Sequence, residues 1–250
     1  MPTVGPDYVN VLGSELTCRS SAINAHAGPE TGEDGPTHAD PQALQGYQEN
    51  FPRGFFITLT PWDPAEMWPL VTKGLLARPA ILCPFVTRPG KTVLDRKKYR
   101  LPKAITTVNG VYALRKAVDT KHDGTIMLQG SAVTYIFITQ VLPELDRMGL
   151  NLNVYYVSSA ELFDLLPPCK QRKIYPEEMA REAMAITDFT LPTMYRWLDS
   201  SFGRKMSLHP FRNGRYLGSG QPYKVLEEAG LHAKGQLRQI IKYVRKIKAN

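Results

Sequence analysis

Residues 54–86, GFFITLTPWDPAEMWPLVTKGLLARPAILCPFV, read as strand, helix and strand in succession. Phe55 to Leu59 is a short apolar run. Asp63-Pro64-Ala65-Glu66 is a helix start: Asp63 offers a capping oxygen, and Pro64 suits the first helical position, where its missing N–H would be unpaired anyway. Glu66 is placed to reach back to the cap, as in a capping box. Met67, Leu70, Val71 and Leu75 then recur at helical spacing, and Ala80 to Val86 reads as the next strand. A helix between two strands carries the chain back to the end where the first strand began, so the pattern predicts a parallel α/β layer.

Upstream, the first fifty residues are rich in Gly, Pro, Ser, Asp and Glu and read as loops around at most one short strand. Downstream, residues 89–110 are polar, basic and without period, which marks them as the linker. The alternation then restarts, with a strand at Thr125 to Leu128, a helix at Ala132 to Met148 and a strand at Leu152 to Val157. It continues with a helix over 176–184, a strand over 185–189 and helices near 221–229 and 233–247. The expected fold is α/β throughout: a partial parallel-sheet domain over 1–104 and a compact, doubly wound αβα domain over 105–250.

Lys and Arg outnumber Asp and Glu by 31 to 23, a formal charge of +8 that suits anionic partners, nucleic acid or small phosphorylated molecules. Part of the surplus lies after Glu228, where Lys234, Arg238, Lys242, Arg245, Lys246 and Lys248 alternate with Leu237, Ile240, Ile241, Val244 and Ile247. That spacing makes the basic residues the wet face of an amphipathic helix, with a nucleic-acid patch the alternative reading. No apolar run reaches the length of a membrane span, and no secretory signal is visible. Cys18, Cys83 and Cys169 are too widely spaced for a disulfide framework or a thiol zinc site. A reduced, cytoplasmic protein without a metal site of its own is expected.

The densest cluster of chemistry is Gly32-Glu33-Asp34-Gly35-Pro36-Thr37-His38. As local structure it is a turn, with acids able to cap a helix beginning near Pro41. It also sets a carboxylate and an imidazole four residues apart, able to grip sugar hydroxyls or shuttle protons near neutral pH. The heptad resembles the Gly-Glu-Asp-Gly-Pro-Thr-His of transketolases. Weaker matches follow in the family's order: Pro61-Trp62-Asp63, Thr87-Arg88-Pro89, Asp123-Gly124-Thr125, Gly130-Ser131-Ala132-Val133, Glu161-Leu162-Phe163-Asp164 and Glu227 to Leu231. The resemblance covers roughly residues 24–248, corresponding to the distal half of the family's pyrimidine-binding domain and its C-terminal domain.

By this resemblance Asp34 is a contact to substrate hydroxyls and His26 a second substrate contact. His38 lies beside the cofactor and takes part in catalysis, and Arg88 holds the sugar phosphate. The resemblance implies transfer of a two-carbon ketol unit between sugar phosphates with thiamine diphosphate and Mg2+. It also implies a homodimer or a separate N-terminal subunit, because the family's activating glutamate, aromatic wall and diphosphate motif lie upstream of where this sequence begins. The isolated chain is expected to be inactive. His122-Asp123-Gly124 followed by Asn151 and Asn153 imitates the metal motif but lacks its first glycine. Ala25-His26-Ala27-Gly28 replaces the family's Thr-His-Asp-Ser, so the substrate contacts differ. The full heptad favours transketolase over a 1-deoxyxylulose-phosphate synthase or a 2-oxo acid dehydrogenase beta chain. The alternative to catalysis is a binding or assembly module, or an inert fragment. For Glu161 and Asp164 the expected job is capping and helix-end electrostatics.

Overall fold

The stretch 54–86 folds as its pattern requires. The computed structural model describes residues 20–35, 40–118 and 121–249, so His38 and residues 1–19 lie outside the described part. Strands β1 (Ser20–Ser21), β2 (Phe56–Leu59) and β3 (Ile81–Pro84) pair in parallel in the order β1-β3-β2. The helix Pro64–Leu76 joins β2 to β3, and Asp63 caps it by accepting from the Ala65 N–H at 3.0 Å. Successive residues of β2 face opposite sides. Phe56 packs with Ala27, Leu44, Cys83, Phe85 and Phe189, whereas Ile57 and Leu59 pack with Leu70, Leu82 and Leu162. Each such buried side chain stabilises the fold by about 1.5–3 kcal/mol.

Glu66 does not reach back to the helix start. It is fully buried, accepts from Arg96 at 2.8 Å and from the Tyr112 hydroxyl, and so belongs to a network rather than a cap. Arg96 also donates to Asp63 at 2.9 Å and to the Pro102 carbonyl at 3.1 Å, and it lies over the Trp62 ring. Residues 89–110 are therefore pinned to the first layer, not a free linker, and they close with a 3-10 helix, Ala104–Asn109.

The second sheet has the order β4-β6-β5-β7, from β4 (Val111–Arg115), β5 (Gly124–Gln129), β6 (Leu152–Val157) and β7 (Met184–Thr187). β5, β6 and β7 are mutually parallel, whereas β4, absent from the sequence expectation, runs antiparallel along β6. The helix expected over 132–148 is interrupted: Ser131–Ile136 passes through a π-helical turn, Phe137–Val141, before Leu142–Arg147. Pro143 explains the widening, because it has no N–H for the Thr139 carbonyl and its ring crowds that carbonyl. The shorter helix and strand downstream run Glu177–Glu182 and Met184–Thr187. The closing helices are Pro222–Glu228 and Ala233–Lys248, with Lys234, Arg238, Lys242, Arg245, Lys246 and Lys248 exposed.

The two layers interlock. Thr60 N–H donates to the Ser158 carbonyl at 2.8 Å, Tyr156 hydroxyl donates to the Thr60 carbonyl, and Ser131 Oγ donates to the Trp62 carbonyl at 3.3 Å. Thr60 to Trp62 thus fill the crevice beyond the carboxyl ends of β5 and β6, where an open sheet of this kind would take a ligand. On the outer edge of β2, Glu161 accepts from the Thr58 N–H at 3.2 Å and its hydroxyl at 2.8 Å. On the other side of the sheet, Ser20 and Ser21 of β1 are exposed.

Candidate functional site

Beyond the carboxyl ends of β1 and β3, two chain segments continue side by side. Asn24 N–H donates to the Pro84 carbonyl, Val86 N–H to Asn24 and Ala27 N–H to Val86, at 2.8–3.1 Å. This ladder sets His26 beside Arg88. Gly28, at φ 89°, then turns the chain into the 3-10 helix Pro29–Asp34, and Gly35 ends that helix at φ 68°. A side chain at Gly28 is excluded, since its Cβ would stand 2.8 Å from Asp188 Cβ.

Three of the four residues singled out from the sequence meet here. Arg88 Nη1 donates to Asp34 Oδ1 at 2.8 Å, and Nη2 lies 2.7 Å from His26 Nε2. Asp34 Oδ2, 3.7 Å from His26 Nε2, is buried and without a hydrogen-bond partner among the described residues. A buried carboxylate oxygen in that state is an acceptor in want of a donor, such as a ligand hydroxyl. Arg88 remains 54% exposed, leaving part of its fork for an anion. It borders two cavities, one of about 320 Å3 with Thr31, Asp34 and Gln221, the other of about 300 Å3 with Trp62, Lys91 and Ser131. The fourth residue, His38, is outside the described residues.

Residues that sequence reasoning missed hold this loop in place. Glu30 is buried and pairs with Lys91, whose ammonium lies 5.0 Å from the centre of the Tyr135 ring. Asp188 follows β7 and accepts from the Ala132 N–H at 2.8 Å and from the Val133 N–H, which serves the start of the Ser131 helix. Burial, with the Glu30 charge adding to it, pushes the Asp188 carboxyl up to about 8. Gln221 and Ser219 donate to the Glu33 carboxylate and carbonyl, both at 3.0 Å. The one local signal for Asp188 was the pair of positive-φ glycines it touches, Gly28 and Gly130.

Elsewhere, Asp123 accepts from the Asn151 N–H at 2.8 Å and pairs with Lys248, so the metal-motif lookalike is a brace between strand ends. Among the described residues no three His, Cys, Asp or Glu side chains stand together as a metal site. No helix there is long and apolar enough to cross a membrane.

Comparison with known proteins gives one consistent direction. A curated protein described as transketolase, from Aquifex aeolicus (strain VF5), is 26% identical over 209 residues, 82% of this chain and 28% of that protein. Among solved structures, a transketolase mutant from Pichia stipitis matches with TM-score 0.69 at 19% identity, over 92% of this chain and 31% of that one. The transketolases of Leishmania mexicana (0.67, 17% identity, 90% and 30% covered) and Campylobacter jejuni (0.66, 21%, 89% and 31%) give the same fold. Further Pichia stipitis structures are complexes with xylulose-5-phosphate and sedoheptulose-7-phosphate. This chain therefore spans under a third of the length of these relatives. No protein-family model matches it.

Proposed function

Because the chain resembles the C-terminal section of transketolases in sequence and fold, we propose that it is the C-terminal part of a transketolase-like transferase. It moves a two-carbon ketol unit between sugar phosphates together with a separate N-terminal subunit. Residues 1–104 form the partial pyrimidine-binding domain and 105–250 the C-terminal domain, in a cytoplasmic assembly. Asp34 and His26 take sugar hydroxyls, Arg88 takes the phosphate, and His38 stands beside the cofactor. The observation that carries this reading is the meeting of Arg88, Asp34 and His26, with Asp34 Oδ2 lacking a hydrogen-bond donor among the described residues.

Thiamine diphosphate with Mg2+ would supply the carbanion chemistry of such a reaction. The described residues do not fit the diphosphate and metal: no three His, Cys, Asp or Glu side chains stand together among them to hold a metal ion. That half of the site is assigned to the partner. The alternative reading is a non-catalytic binding or assembly module.

Titration calorimetry separates the two. Xylulose-5-phosphate, and thiamine diphosphate with Mg2+, are titrated into the chain alone and into its mixture with the candidate N-terminal subunit. Cofactor binding and ketol transfer only in the mixture support the transferase, provided transfer is lost in His38→Ala and sugar-phosphate affinity falls about tenfold or more in Arg88→Ala. No binding under either condition refutes it in favour of the module.

A further inference from the structure

A third cavity, of about 390 Å3, lies at the other end of the first sheet, where β2 begins. β2 and β3 run parallel with Phe56 opposite Ile81, and Arg88 lies past the far end of β3. The four residues of β2 alone put roughly 13 Å between the two places. The chain builds this cavity from both layers.

One wall is aromatic. Phe56 is stacked between Tyr47 (ring centres 4.9 Å apart, planes at 10°) and Phe51 (5.0 Å, 26°). Tyr47 and Phe51 also meet Phe85 at 6.3 Å and Phe55 at 6.2 Å, yet they are 39% and 40% exposed, so part of each ring is left for another flat partner. At the rim Arg196 is held by Asp164 through both nitrogens and reaches Glu49 at 3.3 Å. Arg53 donates to the Asp164 carbonyl. Glu161 is the exception. Its Oε2 is used by Thr58 and Ser159, but its Oε1 is buried and has no hydrogen-bond partner among the described residues. A buried carboxylate oxygen left so forfeits a strong interaction that a ligand donor would restore.

We propose that this cavity binds a small planar nitrogen heterocycle, its ring against Tyr47 and Phe51 and an N–H donated to Glu161 Oε1. The volume admits one or two fused rings. The aromatic wall and the pairing of Arg196 with Asp164 and Glu49 separate this ligand class from the sugar phosphates proposed at Arg88. The site does not depend on the transferase reading.

The probes are adenine, which has N–H donors, and caffeine, a planar purine without one. Calorimetric titration of the intact chain should show saturable adenine binding with Kd at or below about 1 mM and caffeine about tenfold weaker or absent. Glu161→Gln keeps an acceptor for Thr58 but turns an amide donor toward the ligand; Phe51→Ala removes a half-exposed ring. Each should weaken adenine about tenfold or more with an unchanged thermal melt, whereas Trp68→Ser, on an exposed helix face, leaves it unaltered. If Glu161→Gln fails to fold, Phe51→Ala decides. Absence of saturation up to roughly 10 mM adenine, equal affinity for caffeine, or undiminished binding in Phe51→Ala overturns the proposal.

Discussion

Glu66→Gln should flatten the pH dependence of stability. Glu66 is fully buried, and burial raises its carboxyl from 4.5 to about 7 despite the opposing pull of Arg96 and the Tyr112 hydrogen bond. Between those values the folded chain keeps a proton that the unfolded chain has lost. Stability is therefore greatest below 4.5 and falls as pH rises to about 7, above which this contribution is spent. A separation of two to three pH units corresponds to about 2–3 kcal/mol lost between pH 5 and pH 8. Gln keeps the shape and an acceptor for Tyr112 and Arg96, but it has no proton to lose. Urea unfolding at pH 5, 6, 7 and 8, followed by tryptophan fluorescence with Trp62 inside the network, measures the difference. The variant should gain about 2–3 kcal/mol on wild type across that range. Parallel profiles for the two proteins would refute the reasoning, since Glu66 would then titrate alike folded and unfolded.

Asp188→Ala removes the acceptor for two buried N–H groups and should cost about 2–4 kcal/mol by urea midpoint; a loss below about 1 kcal/mol would mean those groups find another partner. Gly110 has φ 77°, and a Cβ there would stand 2.3 Å from the Ser159 carbonyl, so Gly110→Ala should cost about 3 kcal/mol or more. Gly149 has φ 69° but open space around it, so Gly149→Ala should cost only about 1 kcal/mol, and equal losses would contradict the steric account. Cys169 is exposed and Cys83 buried, with its thiol pushed up by that burial. Mass spectrometry after brief maleimide treatment of the folded chain should show Cys169 labelled and Cys83 labelled only in denaturant.

Where side chains repeat with a local period, the sequence was readable: the helix beginning at Pro64 and β6 over Leu152 to Val157 follow directly from their patterns. The elements that escaped depend on partners far along the chain. Glu66 has the spacing of a capping box, but Arg96, thirty residues on, claims it in the interior. Arg96 itself lies in a basic, aperiodic stretch indistinguishable by composition from a solvated linker. Glu161 looked like a helix-end acid, and it does stand in the first turn of Ala160–Asp164; its main partner is Thr58, 103 residues away. β4 is five residues beside a basic connector, and its antiparallel place along β6 has no local signature. At the site, the heptad pointed to Asp34, whereas Lys91 and Asp188 become relevant only once the two layers are stacked.

The insertion of Thr60 to Trp62 into the second sheet bears on the order in which the chain acquires its structure. Trp62 is 1% exposed and packs within the same core as Tyr112, Leu128 and Tyr156, all from the second sheet. During synthesis the tryptophan emerges nearly a hundred residues before Tyr156, with nowhere to bury its indole in the meantime. Contacts so distant along the chain are slow to form and unrewarded until they do. The first layer therefore cannot complete itself ahead of the second, and a nascent chain stopped near residue 104 would expose Trp62 to chaperones and proteases.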